Sequence, residues 1–456
     1  MNDTDRYFPA WEAVNKDAAN QIPVVDEVDV LVVGGGASGI AAATVAAEAG
    51  HKTLLVERYG FCGGAAVAGM SGTICGMYLA TEKERGPEQV VFGFTERFRT
   101  ELCRRGGLTE PQIYGKTWTV THDPLVWREA ADHFLVRAGV SVLFHTAVVG
   151  VLMEGETFEG VVLESSAGRS RVLARRIVDA SGDAAVVARA GGRYKFGDKG
   201  NIQNPTMFFR LGNVDLDHFR GYWGPDTICP AVVSDAIRQG NAAGRHALPR
   251  EKIWVFPTTR PSELLVNATR LQGSDGRSLN VINPYDFTEA EIAGRHQVRQ
   301  YARFFAENIP GCDASYVVDT GVEAGIRQTR SIVGVDTLTS EDVLSARKRG
   351  DGICRVPWPI ELHDGSRPRL HWLLDDFYEV PYNALVPESG ENIVVAGRCL
   401  SATHEALASA RVTAQCFEYG QAAAAAVDLS LRSGASMRHL KGEDVRKAMA
   451  AIGSRL

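Results

Sequence analysis

The stretch Gly34-Gly35-Gly36-Ala37-Ser38-Gly39 constrains the fold of this chain more than any other feature. It follows directly on the apolar, β-branched run Asp29-Val30-Leu31-Val32-Val33, which suits a buried parallel strand. It leads into an Ala-rich helical segment, Ile40 to Ala49, with Gly50 placed to end it in a left-handed cap. A second buried strand, Thr53-Leu54-Leu55-Val56, comes next and closes on Glu57. Strand, glycine turn, helix and strand in so short a span form a βαβ unit. In that setting the G-x-G-x-x-G spacing has physical roles. Gly34 allows the sharp turn, Gly36 lets backbone approach a pyrophosphate, and Gly39 lets helix and strand pack closely while the helix N-terminus faces the phosphates. Glu57 lies 18 positions beyond Gly39, where an acidic side chain accepts hydrogen bonds from an adenosine ribose. A carboxylate there repels a 2′-phosphate, which favours FAD or NAD over NADP.

At 456 residues the chain is too long for one ordinary hydrophobic core, so at least two domains are expected. The net charge of −6 gives no overall attraction to nucleic acid or to an anionic membrane, and neither is expected as a partner. The apolar stretch from Val28 to Gly50 contains Asp29, Glu48 and several glycines and changes period midway, so it reads as strand, turn and helix rather than a membrane span. The eight cysteines include no C-x-x-C pair, which points away from thioredoxin-like pairs, zinc ribbons and many iron–sulfur sites; no metal is expected. Scattered cysteines behind a polar N-terminus without an apolar signal core read as reduced thiols of a cytoplasmic protein.

Residues 1–28 read as an arm, and 29–200 as the first part of a nucleotide-binding domain. Asp123-Pro124 starts a helix that runs to Ala138-Gly139, with Asp as N-cap and Pro at the first helical position. A strand over 140–144 follows, and then three short strands near 147–153, 158–164 and 170–174 form an antiparallel meander. Ile177-Val178-Asp179-Ala180-Ser181-Gly182-Asp183 returns to a core strand ending in a glycine turn. Residues 201–384 are irregular and aromatic-rich, and read as an inserted substrate or cap domain. Residues 385–456 then complete the first domain with the strand Asn392–Gly397 and an Ala-rich helix over about 406–432.

FAD rather than NAD is argued by Gly60-Phe61-Cys62-Gly63-Gly64-Ala65, whose small residues let the chain run beside an extended flavin cofactor. With Val32-Val33-Gly34-Gly35-Gly36, Glu57-Arg58, Asp179-Ala180-Ser181-Gly182-Asp183, Gly325-Ile326-Arg327-Gln328-Thr329-Arg330 and the segment Val395 to Ala406, the chain resembles the FAD-dependent oxidoreductases of the glutathione-reductase/succinate-dehydrogenase-like flavoproteins. The resemblance runs from about 28 to 430, and the segment from 395 to 412 is its narrowest part. It implies an α/β fold: a glutathione-reductase-type, Rossmann-like FAD-binding domain with an inserted, mainly antiparallel α+β substrate domain. Carried over by position, Gly34, Gly36, Ala37, Ser38 and Gly39 would hold the pyrophosphate and Glu57 the ribose. Arg58, Gly63, Gly64 and Ala65 would line the middle of the cofactor. Val148 would meet adenine, Ala180, Ser181 and Gly182 would pass the adenosine half, and Gly397 and Arg398 would sit near the ribityl and flavin. Many relatives place an acid where this chain has Arg398.

For catalysis, His404 and Arg411 flank the expected start of the C-terminal helix, whose N–H groups would aim at the flavin. His404 is read as an acid/base and Arg411 as a ligand for a carboxylate or oxyanion. The bland reading is a helix-capping histidine and an arginine paired with Glu405. Arg327 and Arg330, placed on one helical face, and His363 and Tyr382 are further candidates, each more simply structural. Cys75 has no partner cysteine nearby and reads as an inert thiol, and His122 as a surface residue. The function expected is hydride transfer between a small organic metabolite and flavin N5. A flavin monooxygenase is the alternative, although Gly397-Arg398 lacks the Asp usual there. A tRNA-modification-like flavoprotein suits the acidic charge less well, and a heterodisulfide-reductase-like carrier would need cysteine clusters. Substrate, second electron partner and oligomeric state are not specified by the sequence.

Overall fold

The computed structural model describes residues 21–82, 85–362 and 369–456. The glycine-rich turn sits where the sequence requires it, between the strand Val24–Val33 and the helix Ala37–Glu48, with the strand Thr53–Val56 following. These belong to a parallel arrangement in which Ser141–Leu143 pairs with Thr53–Val56, Thr53–Val56 with Val24–Val33, Val24–Val33 with Gly168–Asp179, and Gly168–Asp179 with Ile393–Val395. Numbering those strands by chain order gives 3-2-1-4-5, the doubly wound arrangement. Val33 lies opposite Asp179, so Gly34 and Ala180 leave the sheet side by side at the point where strand order reverses. A ligand crevice opens at such a point.

The meander is present as Ala147–Glu154, Thr157–Ser165 and Gly168–Asp179. Its last strand is continuous with the expected core strand at 177–179. The first half of Gly168–Asp179 pairs antiparallel with Thr157–Ser165, and its end takes Ile393–Val395 as a parallel neighbour. The helix Pro124–Ala138 has both of its expected ends. Asp123 accepts from the N–H groups of Leu125 and Val126 at 2.8 and 3.3 Å, and Gly139 closes it at φ 79°.

The insertion carries a four-stranded antiparallel sheet, in the order Trp254–Pro257, Glu263–Asn267, Phe209–Gly212, Tyr316–Thr320. With the helix Pro284–Asn308 it builds a separate core around Phe209, Leu264, Val298 and Phe304. That core spans residues 207–324, whereas Leu338 to Val386 join the core of the nucleotide-binding part. Tyr382 shows why: it is fully buried there, and its hydroxyl donates to the carbonyl of Met437 at 3.0 Å.

Three local expectations are corrected. Residues 325–329 are not helical, and Arg330 opens the strand Arg330–Ile332, so Arg327 and Arg330 share no helical face. The Ala-rich helix is two helices, His404–Ala410 and Thr413–Ser433, with Val412 extended between them. His122 is 3% exposed rather than on the surface, because its ring packs on Trp127 with centroids 4.5 Å apart.

Candidate active site

Backbone without side chains makes the cradle. Gly34 has φ +99°, and a Cβ there would stand 2.6 Å from the Ala180 carbonyl oxygen. A Cβ on Gly39 would fall 1.8 Å from the Gly34 carbonyl oxygen, so only glycine lets the helix close on the turn. Gly36 is different, since a Cβ there would meet only the Gly64 Cα, at 3.9 Å. Its Cα therefore faces open ground, as close approach of the protein backbone to a ligand demands.

That open ground is one end of a continuous cavity of about 1380 Å³. Gly34, Gly36, Ala37, Ser38, Glu57, Arg58, Gly63, Gly64, Ala65, Val148, Ala180, Ser181, Gly182, Gly397 and Arg398 all line it. Of the residues expected to hold a dinucleotide, only Gly39 does not, because it is spent on helix–strand packing. The residues present fit an extended FAD. A trough of bare backbone would face the phosphates, and the N-terminus of Ala37–Glu48 would offer them its free N–H groups.

Charges along this trough are tightly held. Glu57 is 6% exposed; its Oε2 accepts from the Gly35 N–H at 2.7 Å and its Oε1 from the Tyr59 N–H at 2.9 Å. Burial raises its pKa, against the pull of those two N–H groups. Arg58 pairs with Glu323, which also accepts from the Tyr59 hydroxyl at 2.6 Å. Asp183 accepts from Arg398 at 2.8 Å and from the Thr329 hydroxyl at 2.7 Å. Burial would raise the Asp183 pKa, but the Arg398 charge and these hydrogen bonds outweigh it and hold the group below the usual range. The Arg398 side chain thus reaches back to the glycine turn at 182 and fixes it. Asp183 and Glu323 line the cavity and were missed as site residues. Asp183 closes the 179–183 motif and could have been found there; Glu323 lies in irregular chain with no local signal.

The far end of the cavity is built differently. Phe208, Phe256 and Trp358 give it aromatic walls, and Tyr114 donates to Glu361 Oε1 at 2.7 Å. Arg327 and Arg411 also line it. The helix Thr413–Ser433 begins at this wall, with Val412 and Thr413 in the lining. The helix dipole favouring negative charge at the cavity is therefore that of Thr413–Ser433, not of a helix starting near 404. Cys75 lines the cavity, hydrogen-bonded to Thr73 and Thr119, and burial pushes its thiol up to about 11. It is a protonated, weakly nucleophilic group.

The remaining candidates fall elsewhere. His404 is the first residue of His404–Ala410 and does not line the cavity; of the expected pair only Arg411 reaches it. Tyr382 does not line it either, being engaged with Met437. Arg330 does, with its guanidinium 5.0 Å over the Tyr194 ring. His363 lies outside the described residues.

A doubly wound sheet with a glycine cradle at its switch point, opening into an aromatic-walled chamber, defines a dinucleotide-binding flavoprotein. The chain belongs to the FAD dependent oxidoreductase family, which matches residues 29–449. It is therefore an FAD-dependent enzyme, an oxidoreductase by family. Among curated proteins it is similar to thiamine thiazole synthase of Methanococcus vannielii, at 30% identity over 171 residues. That match covers 36% of this chain and 59% of the relative, so the chain spans less than two thirds of the relative's length. Among solved structures it is similar to a geranylgeranyl bacteriochlorophyll reductase-like protein from Thermoplasma acidophilum, at a TM-score of 0.50 and 16% identity over 94% of this chain and 82% of that one. It is also similar to p-nitrophenol 4-monooxygenase from Pseudomonas putida, at a TM-score of 0.50 and 11% identity over 94% and 89%. At such identities these two likenesses show the fold alone.

Proposed function

We propose that the enzyme moves a hydride between a small organic molecule and the flavin of its bound FAD. The observation that carries this reading is the continuity of the cavity: one volume runs from the glycine cradle to the aromatic chamber. The cofactor, when bound, supplies a two-electron acceptor or donor. Everything else falls to the chain. Gly34, Gly36, Ala37 and Ser38 would hold the pyrophosphate, Glu57 the ribose, and the 180–182 and 397–398 turns would line the rest of the cofactor. Arg411 and the N-terminus of Thr413–Ser433 favour negative charge at the chamber wall. The aromatic walls exclude water and orient the substrate.

A proton must also be held at a defined atom. His404 was the natural candidate by residue type, but its position outside the lining favours another group. Tyr114 and Glu361 are 4% and 5% exposed, hydrogen-bonded to each other, and both line the chamber. A substrate proton would pass to the Tyr114 hydroxyl oxygen as its own proton moves onto Glu361.

Anaerobic reduction of the bound flavin by a panel of metabolites, followed by loss of its visible absorbance, tests this. With the substrate so found, Glu361→Gln should retain FAD yet reduce about 10²–10⁴-fold more slowly, the usual cost of losing an acid/base group. His404→Ala should stay near wild type. A fast Glu361→Gln beside a dead His404→Ala would return the proton to His404.

A further inference from the structure

The chamber holds two guanidiniums that feel the charge of one carboxylate, Glu361, and among the described residues bond directly to none. Arg327 is 7% exposed and donates to the Asn204 carbonyl at 3.2 Å and to the Thr206 hydroxyl. Arg411 donates to Gln203 Oε1 at 2.9 Å, and its buried Nε has no partner. Among the described residues neither forms an ion pair. By contrast, Arg58 and Arg398, nearer the cradle, both do. Buried arginines almost always find an anion, because an uncompensated charge in an apolar wall is costly. Burial and then the charge of Arg411 pull the Arg327 pKa down to about 9, which marks two cations crowded into one poorly solvated place.

Around them the charge does not balance. Glu361 is the carboxylate lining this end among the described residues, against two lining arginines. The remaining wall is aromatic. Tyr114 lies with its ring centroid 5.0 Å from Trp358 and 6.2 Å from Phe256, and both neighbours line the cavity. A ligand that completes this chamber carries one negative charge with planar, bidentate acceptors and a flat apolar body.

We propose that Arg327 and Arg411 form a carboxylate subsite, and that the substrate is an aromatic monocarboxylate held by its acid group there and by its ring against Phe256 and Trp358. This rests on the flavoenzyme reading above and narrows its substrate class. A guanidinium matches a carboxylate with two parallel N–H donors, so a neutral amide of the same shape should be a poor substitute.

The test uses the FAD-loaded protein and four probes: benzoate, benzamide, acetate and succinate. Difference spectra of the flavin and shifts in melting temperature report binding without turnover. Benzoate should saturate both signals, with benzamide and acetate each at least about tenfold weaker and succinate weaker than benzoate. Arg411→Gln and Arg327→Gln should each weaken benzoate at least about tenfold while FAD per chain is unchanged. Should either variant fold poorly, the lysine replacements keep the charge but lose the fork, and should bind benzoate less tightly than wild type. Benzamide binding as well as benzoate, or acetate as well as benzoate, would overturn the proposal. So would loss of FAD from folded arginine variants, which would assign the pair to the cofactor. A protein that binds no FAD overturns the flavoenzyme reading itself. A protein that binds FAD but shows no response to benzoate overturns only the subsite.

Discussion

Glu57 is a buried carboxylate held by two backbone N–H groups, and burial raises its pKa against their pull. A buried carboxylate that lines the cavity suits the role proposed for it, binding the ribose of FAD. Glu57→Gln should therefore weaken FAD binding by roughly 1–3 kcal/mol, the scale of a charge-assisted hydrogen bond. Reconstitution of the apoprotein, titrated by flavin fluorescence, would measure it; unchanged affinity would place the ribose elsewhere. Glu57 was legible in the sequence because its distance from the glycines is set by one short helix and one short strand. Glu361 and Tyr114 were not, since they meet across 247 residues and no local pattern marks either. His404 is the opposite case: a titratable residue beside a recognisable motif attracts a chemical role, yet it lies outside the cavity lining.

The helix Thr413–Ser433 shows how packing overrides periodicity at the level of elements. A continuous Ala-rich pattern from 406 reads as one helix, yet the chain breaks at Val412, and the Tyr419 hydroxyl takes up the freed Ala410 carbonyl at 2.8 Å. The break turns a helix N-terminus toward the cavity. Further along, a Cβ on Gly420 would stand 2.1 Å from the Ser38 carbonyl oxygen, so this helix rests directly on the one that carries the cradle. Glu418, 2% exposed, ties it to the chain end by accepting from the Ser454 hydroxyl at 2.7 Å. Burial raises the Glu418 pKa from 4.5 to about 7. A carboxyl whose folded pKa is raised favours the fold when protonated. Its contribution is full below about pH 4.5 and is lost as pH climbs through about 7. Glu418→Gln should flatten the fall in stability between those values and leave the variant at least as stable as wild type at pH 8. Urea midpoints across that range would show it, and an unaltered slope would mean that Glu418 is ionised in the folded protein throughout.

At the scale of the whole molecule, two apolar cores meet around one cavity. The strands of the parallel sheet could be anticipated because each is a short apolar run with its own turn signal, whereas their order 3-2-1-4-5 is seen only in the structure. The extent of the inserted core could not, because residues 338–386 have the irregular look of the insertion while packing with the nucleotide-binding part. No helix among the described residues is long and apolar enough to cross a membrane. The central claim is that the cavity is a single FAD site serving one chamber. The direct measurement is the amount of flavin released per chain when the purified protein is denatured, read from its visible spectrum. About one FAD per chain is predicted, the ratio set by one glycine fingerprint, and Gly36→Val should abolish it by filling the ground where backbone meets pyrophosphate. A folded, colourless wild type that takes up no added FAD would contradict the account.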